Sequence, residues 1–210
     1  NNTFSVAWVD YDGDGDLDLY VANNGEANLL YRNDGDVGAD GDVDFSERAA
    51  AVGVDGPGLG TVAAWADYDA DGDLDLFLRA GDTTTPAANL LYRNDGDVDA
   101  NGDIDFSERA AAEGVGASTS PGAAAWADYD DDGDLDLYVG NPDGEANELY
   151  RNDVSGANWL IVDLQETVSA PDGIGARVTA VAGGQRQVRY PDRSEEHTSE
   201  LQSQFRISYA

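Results

Sequence analysis

The chain of 210 residues has no cysteine, no methionine and no lysine, and its single histidine is His197. Without cysteine there are no disulfides, no thiolate zinc sites and no thiol nucleophile, although cysteine usage alone does not fix the compartment. No apolar run approaches the ~20 residues that a membrane helix needs. Positive charge is scarce: 11 basic residues, all arginine, stand against 43 acidic ones, for a net charge of -32. A surface this negative repels phosphate backbones and anionic lipid, so neither nucleic-acid binding nor membrane insertion is expected. Apolar residues still make up 41 %, enough for a core, which argues against a disordered acidic tail.

Residues 193–210 read RSEEHTSELQSQFRISYA. This string resembles the conceptual translation of a sequencing-library adapter. Biological sequence is therefore expected to stop near Asp192, and His197 is left out of the chemistry. An export signal, if the protein has one, is expected outside the stretch given.

Internal repetition dominates the rest. AWVDYDGDGDLDLYV from Ala7 returns as AWADYDADGDLDLFL from Ala64 and AWADYDDDGDLDLYV from Ala125, with Trp8, Trp65 and Trp126 spaced by 57 and 61 residues. A second block follows each time: ANLLYRNDGD at Ala27 and at Ala88, and ANELYRND at Ala146. A third block, DFSERAAA, occurs at Asp44 and Asp105 and is missing from the third copy. The segment around each tryptophan is β-prone, the residues after each acidic loop alternate in polarity, and LLYRN reads as a further strand. VDFSERA reads as a fourth strand or as a helical turn. Four short segments per unit predict an all-β fold, a partial β-propeller of about three four-stranded blades with the tryptophans between them. The units are expected at about 1–57, 58–118 and 119–153, followed by a truncated small β segment over 154–192.

The acidic residues are not spread evenly. Each tryptophan is followed by D-x-D-x-D-G-D-L-D: Asp10, Asp12, Asp14, Asp16 and Asp18; Asp67, Asp69, Asp71, Asp73 and Asp75; Asp128, Asp130, Asp132, Asp134 and Asp136. Calcium takes six to eight hard oxygen ligands, and oxygens at positions 1, 3 and 5 converge when a chain curls round the ion. Glycine at position 6 permits the turn, position 7 offers its carbonyl and position 9 closes the site, so Asp16, Asp73 and Asp134 are expected to contribute main-chain oxygens. These loops lack the glutamate at position 12 and have strand-like flanks, unlike EF-hands.

A second kind of loop lies later in the repeat. Asp97, Asp99, Asn101, Gly102, Asp103, Asp105 and Glu108 match the full EF-hand loop pattern. Its counterpart has Asp36, Asp40, Gly41, Asp42, Asp44 and Glu47, with Gly38 at position 3, so weaker affinity is expected there. The named positions of the three main loops supply 15 acidic residues and those of the two inserts ten more. Outside them and the last 18 residues, 15 acids face nine arginines, so the acidity is that of loops with ligand spacing and not of a salt-adapted surface. Three calcium ions are expected, up to five. Unloaded carboxylates this close repel one another, so binding should be coupled to folding.

These motifs resemble the FG-GAP/VCBS repeat, the blade of integrin-α-like propellers, over roughly residues 1–153. D-x-D-x-D-G-D-L-D-L is similar to that family's calcium hairpin, and NLLYRNDGD…F…AAAxGV to its continuation. Residues 158–190 differ: WLIVDL, ARVTAVA and QRQVRY read as three strands, and NWLIVDL…DGIGARV…GG resembles the start of the ASPIC/UnbV domain, which follows such propellers in bacterial proteins and in cartilage acidic protein. The resemblance implies an extracellular, cell-surface or periplasmic calcium-binding module for adhesion or protein interaction, with a protein or glycan ligand on the loops of one face. The alternative is the non-catalytic propeller portion of a larger secreted enzyme. Catalysis by this chain itself is not expected: it has no nucleophile elbow, phosphate loop or H-E-x-x-H, and aspartates at calcium spacing are better read as ligands than as acid–base pairs. A dockerin-like reading of the inserts is disfavoured because they alternate with strands.

Overall fold

A computed structural model describes residues 2–56, 58–81, 85, 87–119, 122–142, 144–154, 158–163, 178–182, 185–189 and 204–209. The chain divides into two compact units, one of residues 1–68 and 73–153, the other of residues 69–72 and 154–210.

In the first unit each repeat forms one antiparallel sheet in chain order. The first sheet holds β1 (Asn2–Val9), β2 (Asp18–Asn24), β3 (Leu29–Gly35) and β4 (Asp44–Glu47), followed by a one-turn helix α1 (Ala49–Val52). The second holds β5 (Gly60–Ala66), β6 (Asp75–Ala80), β8 (Leu90–Asn94) and β9 (Phe106–Glu108), followed by α2 (Ala110–Glu113). A short strand β7 (Ala87–Ala88) pairs outside the sheets with β10 (Ser118–Thr119). The third sheet has β11 (Ala123–Ala127), β12 (Asp136–Gly140) and β13 (Glu148–Tyr150). It has three strands among the described residues where four were expected, because the DFSER block that makes β4 and β9 is absent from this repeat. In the repeats that carry it, that block is both things the sequence allowed, strand first and helical turn after. Gly53 and Gly114 end the turns in the left-handed region, which glycine enters without a Cβ clash.

Register explains the stacking of sheets. Trp8, Leu19 and Tyr31 lie opposite one another across the first sheet, as do Trp65, Leu76 and Tyr92 in the second and Trp126, Leu137 and Tyr150 in the third. The alternate residues form the other face: Tyr20 with Leu30, Phe77 with Leu91, Tyr138 with Leu149. One core joins Tyr20, Ala22 and Leu30 of the first sheet to Leu76, Leu78, Tyr92 and Trp65 of the second. The next joins Phe77 and Leu91 of the second sheet to Leu137, Val139 and Trp126 of the third. The middle strand β6 is accordingly buried along its whole length, on both faces. Trp65 meets Tyr20 edge-on at 5.7 Å and Trp126 meets Phe77 edge-on at 6.3 Å, so both tryptophans fill the layer between sheets, as expected of a propeller. Trp8, whose face meets no other sheet among the described residues, is 59 % exposed and has Phe45 of its own sheet as its aromatic neighbour there.

In the second unit β14 (Asn158–Asp163) pairs with β17 (Gln204–Tyr209), and β15 (Val178–Ala182) with β16 (Gln185–Arg189), all antiparallel. Strands thus occur at the three predicted segments, in two separate ribbons, and β17 falls in the stretch expected to be adapter read-through. No helix among the described residues is long and apolar enough to cross a membrane.

Candidate metal centre

Each main loop joins the first two strands of a sheet and is held by its own backbone. In the first, Asp10 Oδ1 accepts the Gly15 amide at 3.2 Å, and in the third Asp128 accepts those of Asp132 and Gly133 at 3.1 Å each. Positions 2 apart bond in the same way, Asp16 N to Asp14 and Asp134 N to Asp132. The inserted loops repeat the pattern: Asp36 accepts Asp40 and Gly41 amides, and Asp97 accepts those of Asn101 and Gly102, all at 3.0 Å. All five loops also share positive φ at positions 4 and 6. Position 6 is glycine throughout, but position 4 is Gly13, Ala39, Ala70, Ala100 and Asp131. A non-glycine residue there costs roughly 1 kcal/mol, so the carboxylate positions are held against a local backbone preference.

This curl converges the carboxylates. Asp10, Asp12 and Asp18 each bring an oxygen within 4.8 Å of the others, as do Asp128, Asp130 and Asp136, Asp67, Asp69 and Asp71, and Asp97, Asp99 and Asp105. The inserted loop at Asp36 forms no such cluster among the described residues, in keeping with Gly38 at its third position. Asp14, Asp16, Asp73, Asp75, Asp132, Asp134 and Asp103 lie outside the clusters, as do Asp40, Asp42 and Asp44.

Burial raises the cost of this convergence. Desolvation, reinforced by Asp14 and Asp10, lifts the Asp12 carboxyl to about 6. Asp18 rises to about 7, again chiefly by burial, although two backbone amides pull it down. Asp130 is raised by desolvation and by Asp132. Some positive charge is supplied locally: Arg151 reaches Asp130 at 3.2 Å and Asp132 at 3.3 Å.

The position-9 aspartates have a role that ligand spacing does not reveal. Asp18 accepts Tyr11 N and Asn33 N, one on each oxygen; Asp75 accepts Tyr68 N and Asn94 N; Asp136 accepts Tyr129 N and Asn152 N. Each is a buried clamp tying the loop to the third strand. The asparagines complete it. Asn33, Asn94 and Asn152 donate to the carbonyls of Leu17, Leu74 and Leu135 within their own sheet. Asn94 and Asn152 also donate to Tyr11 O at 3.0 Å and Tyr68 O at 2.6 Å, in the loop of the preceding sheet. The signal was present in the sequence as the thrice-repeated YRND, whose asparagine is an odd residue for a strand interior.

Glu47 and Glu108, expected to close the inserted loops from position 12, are placed elsewhere. Their Oε1 atoms accept Ala49 N at 2.8 Å and Ala110 N at 2.7 Å, at the start of α1 and α2, and make longer bonds to Leu30 N and Leu91 N. The residues leading to each glutamate form β4 and β9, and an extended strand carries the side chain away from the loop that a helix would return it to. Asp103, at position 7 of its loop, pairs with Arg48 and lies 3.5 Å from Arg32, which leaves its main chain as the group it can offer an ion.

Residues 2–78 match the FG-GAP-like repeat family. That stretch spans the whole first sheet, its main and inserted loops, β5, the second main loop and β6 as far as Leu78. No curated protein matches the chain.

Proposed function

We propose that this chain is a non-catalytic, calcium-binding propeller module that works outside the cytoplasm in adhesion or protein binding, with the ion stiffening the loops between strands. The observation that carries the reading is that the same loop in each of the three sheets gathers a carboxylate trio, built on its first and third positions and completed by the ninth in the first and third loops and by the fifth in the second. The fit to calcium is both chemical and metric. All donors are hard oxygens, and oxygens sharing an ion bound at ~2.3–2.6 Å stand no more than about 5 Å apart, a limit the trios respect with oxygens within 4.8 Å of one another. Asp10, Asp12 and Asp18, Asp67, Asp69 and Asp71, and Asp128, Asp130 and Asp136 would hold the ions, and calcium would supply the charge that offsets their repulsion. The FG-GAP-like match over residues 2–78 supports the adhesion role, and the near-millimolar affinity usual for extracellular sites of this chemistry supports a place outside the cytoplasm. Residues 158–190, on the separate likeness of NWLIVDL…DGIGARV…GG, are proposed as the start of an ASPIC/UnbV-like domain.

Thermal unfolding followed by circular dichroism, in chelator and in ~1 mM calcium, tests this directly. A large stabilisation with three to four ions per chain by titration is expected. A folded chain indifferent to calcium would overturn the reading and leave an acidic surface in its place.

A further inference from the structure

The arginine of each YRND block has one contact that recurs and one that varies. Arg32, Arg93 and Arg151 each pair with the aspartate two residues on, Asp34, Asp95 and Asp153. Beyond that pivot the first and third repeats differ. Arg151 turns onto the main loop of its own sheet, 3.2 Å from Asp130 and 3.3 Å from Asp132. Arg32 turns to the next repeat and lies 3.5 Å from Asp103, in the insert of the second sheet, where Asp103 also pairs with Arg48. The side chains of Arg32, Arg48 and Asp103 are 27 %, 26 % and 22 % exposed, so salt screens these charges little. The base of that insert is joined to the first main loop. Tyr11, between Asp10 and Asp12, stands 6.4 Å from Phe106 ring to ring, and its carbonyl accepts Asn94 Nδ2 at 3.0 Å. Arg32 is thereby placed between two acidic loops. Burial lifts the Asp12 carboxyl, and the Arg32 charge is among the forces that pull it back, so one guanidinium is felt at both loops.

We propose that Asp103, on the insert of the second repeat, regulates calcium binding at the first main loop by holding Arg48 and Arg32 and so keeping a competing cation off Asp12. This regulation presupposes the calcium binding proposed above. With the Asp103 charge removed, Arg32 turns onto Asp12 and Asp14 as Arg151 does onto Asp130 and Asp132, and calcium has to displace it. Linkage makes the effect mutual. Calcium in the first loop repels Arg32 and drives it onto Asp103, so loading one repeat tightens its junction with the next.

Calorimetric titration with calcium tests it, on the full chain carrying Asp69→Asn, Asp99→Asn and Asp130→Asn, which silence the other carboxylate clusters and leave the first loop to be read alone. Asp103→Asn keeps the main-chain carbonyl and removes only the charge. It should weaken calcium binding by about fivefold, the scale of a partly exposed ion pair. Arg32→Gln with Arg48→Gln should tighten binding, an opposite shift that loss of folding cannot mimic. Added to those two, Asp103→Asn should change the affinity by less than about twofold, since coupled residues are not additive. An unchanged affinity in Asp103→Asn would overturn the proposal and leave the calcium reading standing. So would the full loss persisting without the arginines, which would mean that Asp103 acts through its own field. No calcium uptake by the parent of the series would overturn the calcium reading, and this regulation with it.

Discussion

The main loops and the inserted loops use the same backbone and differ in what anchors them. Both curl through positive φ at positions 4 and 6, and both tie position 1 to amides further on. In the main loop the ninth residue is buried and both its oxygens are engaged by amides, one of them from the third strand. In the insert at Asp97 the ninth residue, Asp105, is only half-buried and takes the amide of Val98, within its own loop. Local sequence is therefore sufficient to shape an acidic loop, and tertiary structure decides whether that loop also holds the sheet together.

The largest test of this difference is to remove the ninth carboxylate from each kind. Asp75→Ala leaves the amides of Tyr68 and Asn94 without their acceptor, and each buried orphan costs about 1–3 kcal/mol, so a loss of several kcal/mol is expected in denaturant melts even with chelator present. Asp105→Ala should cost no more than about 1 kcal/mol under the same conditions. Equal losses would show that the clamp is not what separates the loops.

Next in size is a dependence on pH that changes sign with the ion. The folded-state values of Asp12 and Asp18, about 6 and about 7, stand above the ordinary 3.8 of the unfolded chain. The metal-free folded state thus binds more protons between these limits, and its stability should fall as pH rises through 6 to 7. With calcium present, protons compete with the ion and the slope should reverse. Melting temperatures at a series of pH values, with and without chelator, read both slopes, and Asp12→Asn should flatten the metal-free one.

A smaller effect concerns the third loop. Removing the cation that reaches its carboxylates, Arg151→Ala, should tighten calcium binding there in a titration, because the ion no longer displaces a guanidinium from Asp130 and Asp132. The smallest is backbone strain in the insert: Ala100 has φ 57°, and Ala100→Gly should raise stability by roughly 0.4–1 kcal/mol in the same melts.

The sheet order, the loop positions and the interleaved tryptophans were legible because repetition exposes phase: three copies of A-W-x-D align strands without any other information. The carboxylate trios were legible for the same reason that ligand spacing is a local property of the chain. The tasks of Asn94 and Asn152 were not, because their second partner lies in another repeat, 83 or 84 residues away. Glu47 and Glu108 matched the motif and were placed at helix starts instead, since a spacing pattern does not say whether the intervening residues run as helix or strand. The exposure of Trp8 was hidden by its likeness to Trp65 and Trp126, because what packs on a repeat is not written in the repeat itself.

The asparagine bond to the preceding tyrosine has a thermodynamic consequence. Tyr11 directly follows Asp10, and its amide is held by Asp18 of its own sheet while its carbonyl is held by Asn94 of the next. A single peptide segment is therefore shared property of two repeats, so the order of one loop is felt as a boundary condition by its neighbour. In a linear array described by intrinsic and nearest-neighbour free energies, this raises the neighbour term at the expense of independence. The melt of the three sheets should be one sharp transition, and replacing Asn94 by leucine should broaden it before it lowers its midpoint.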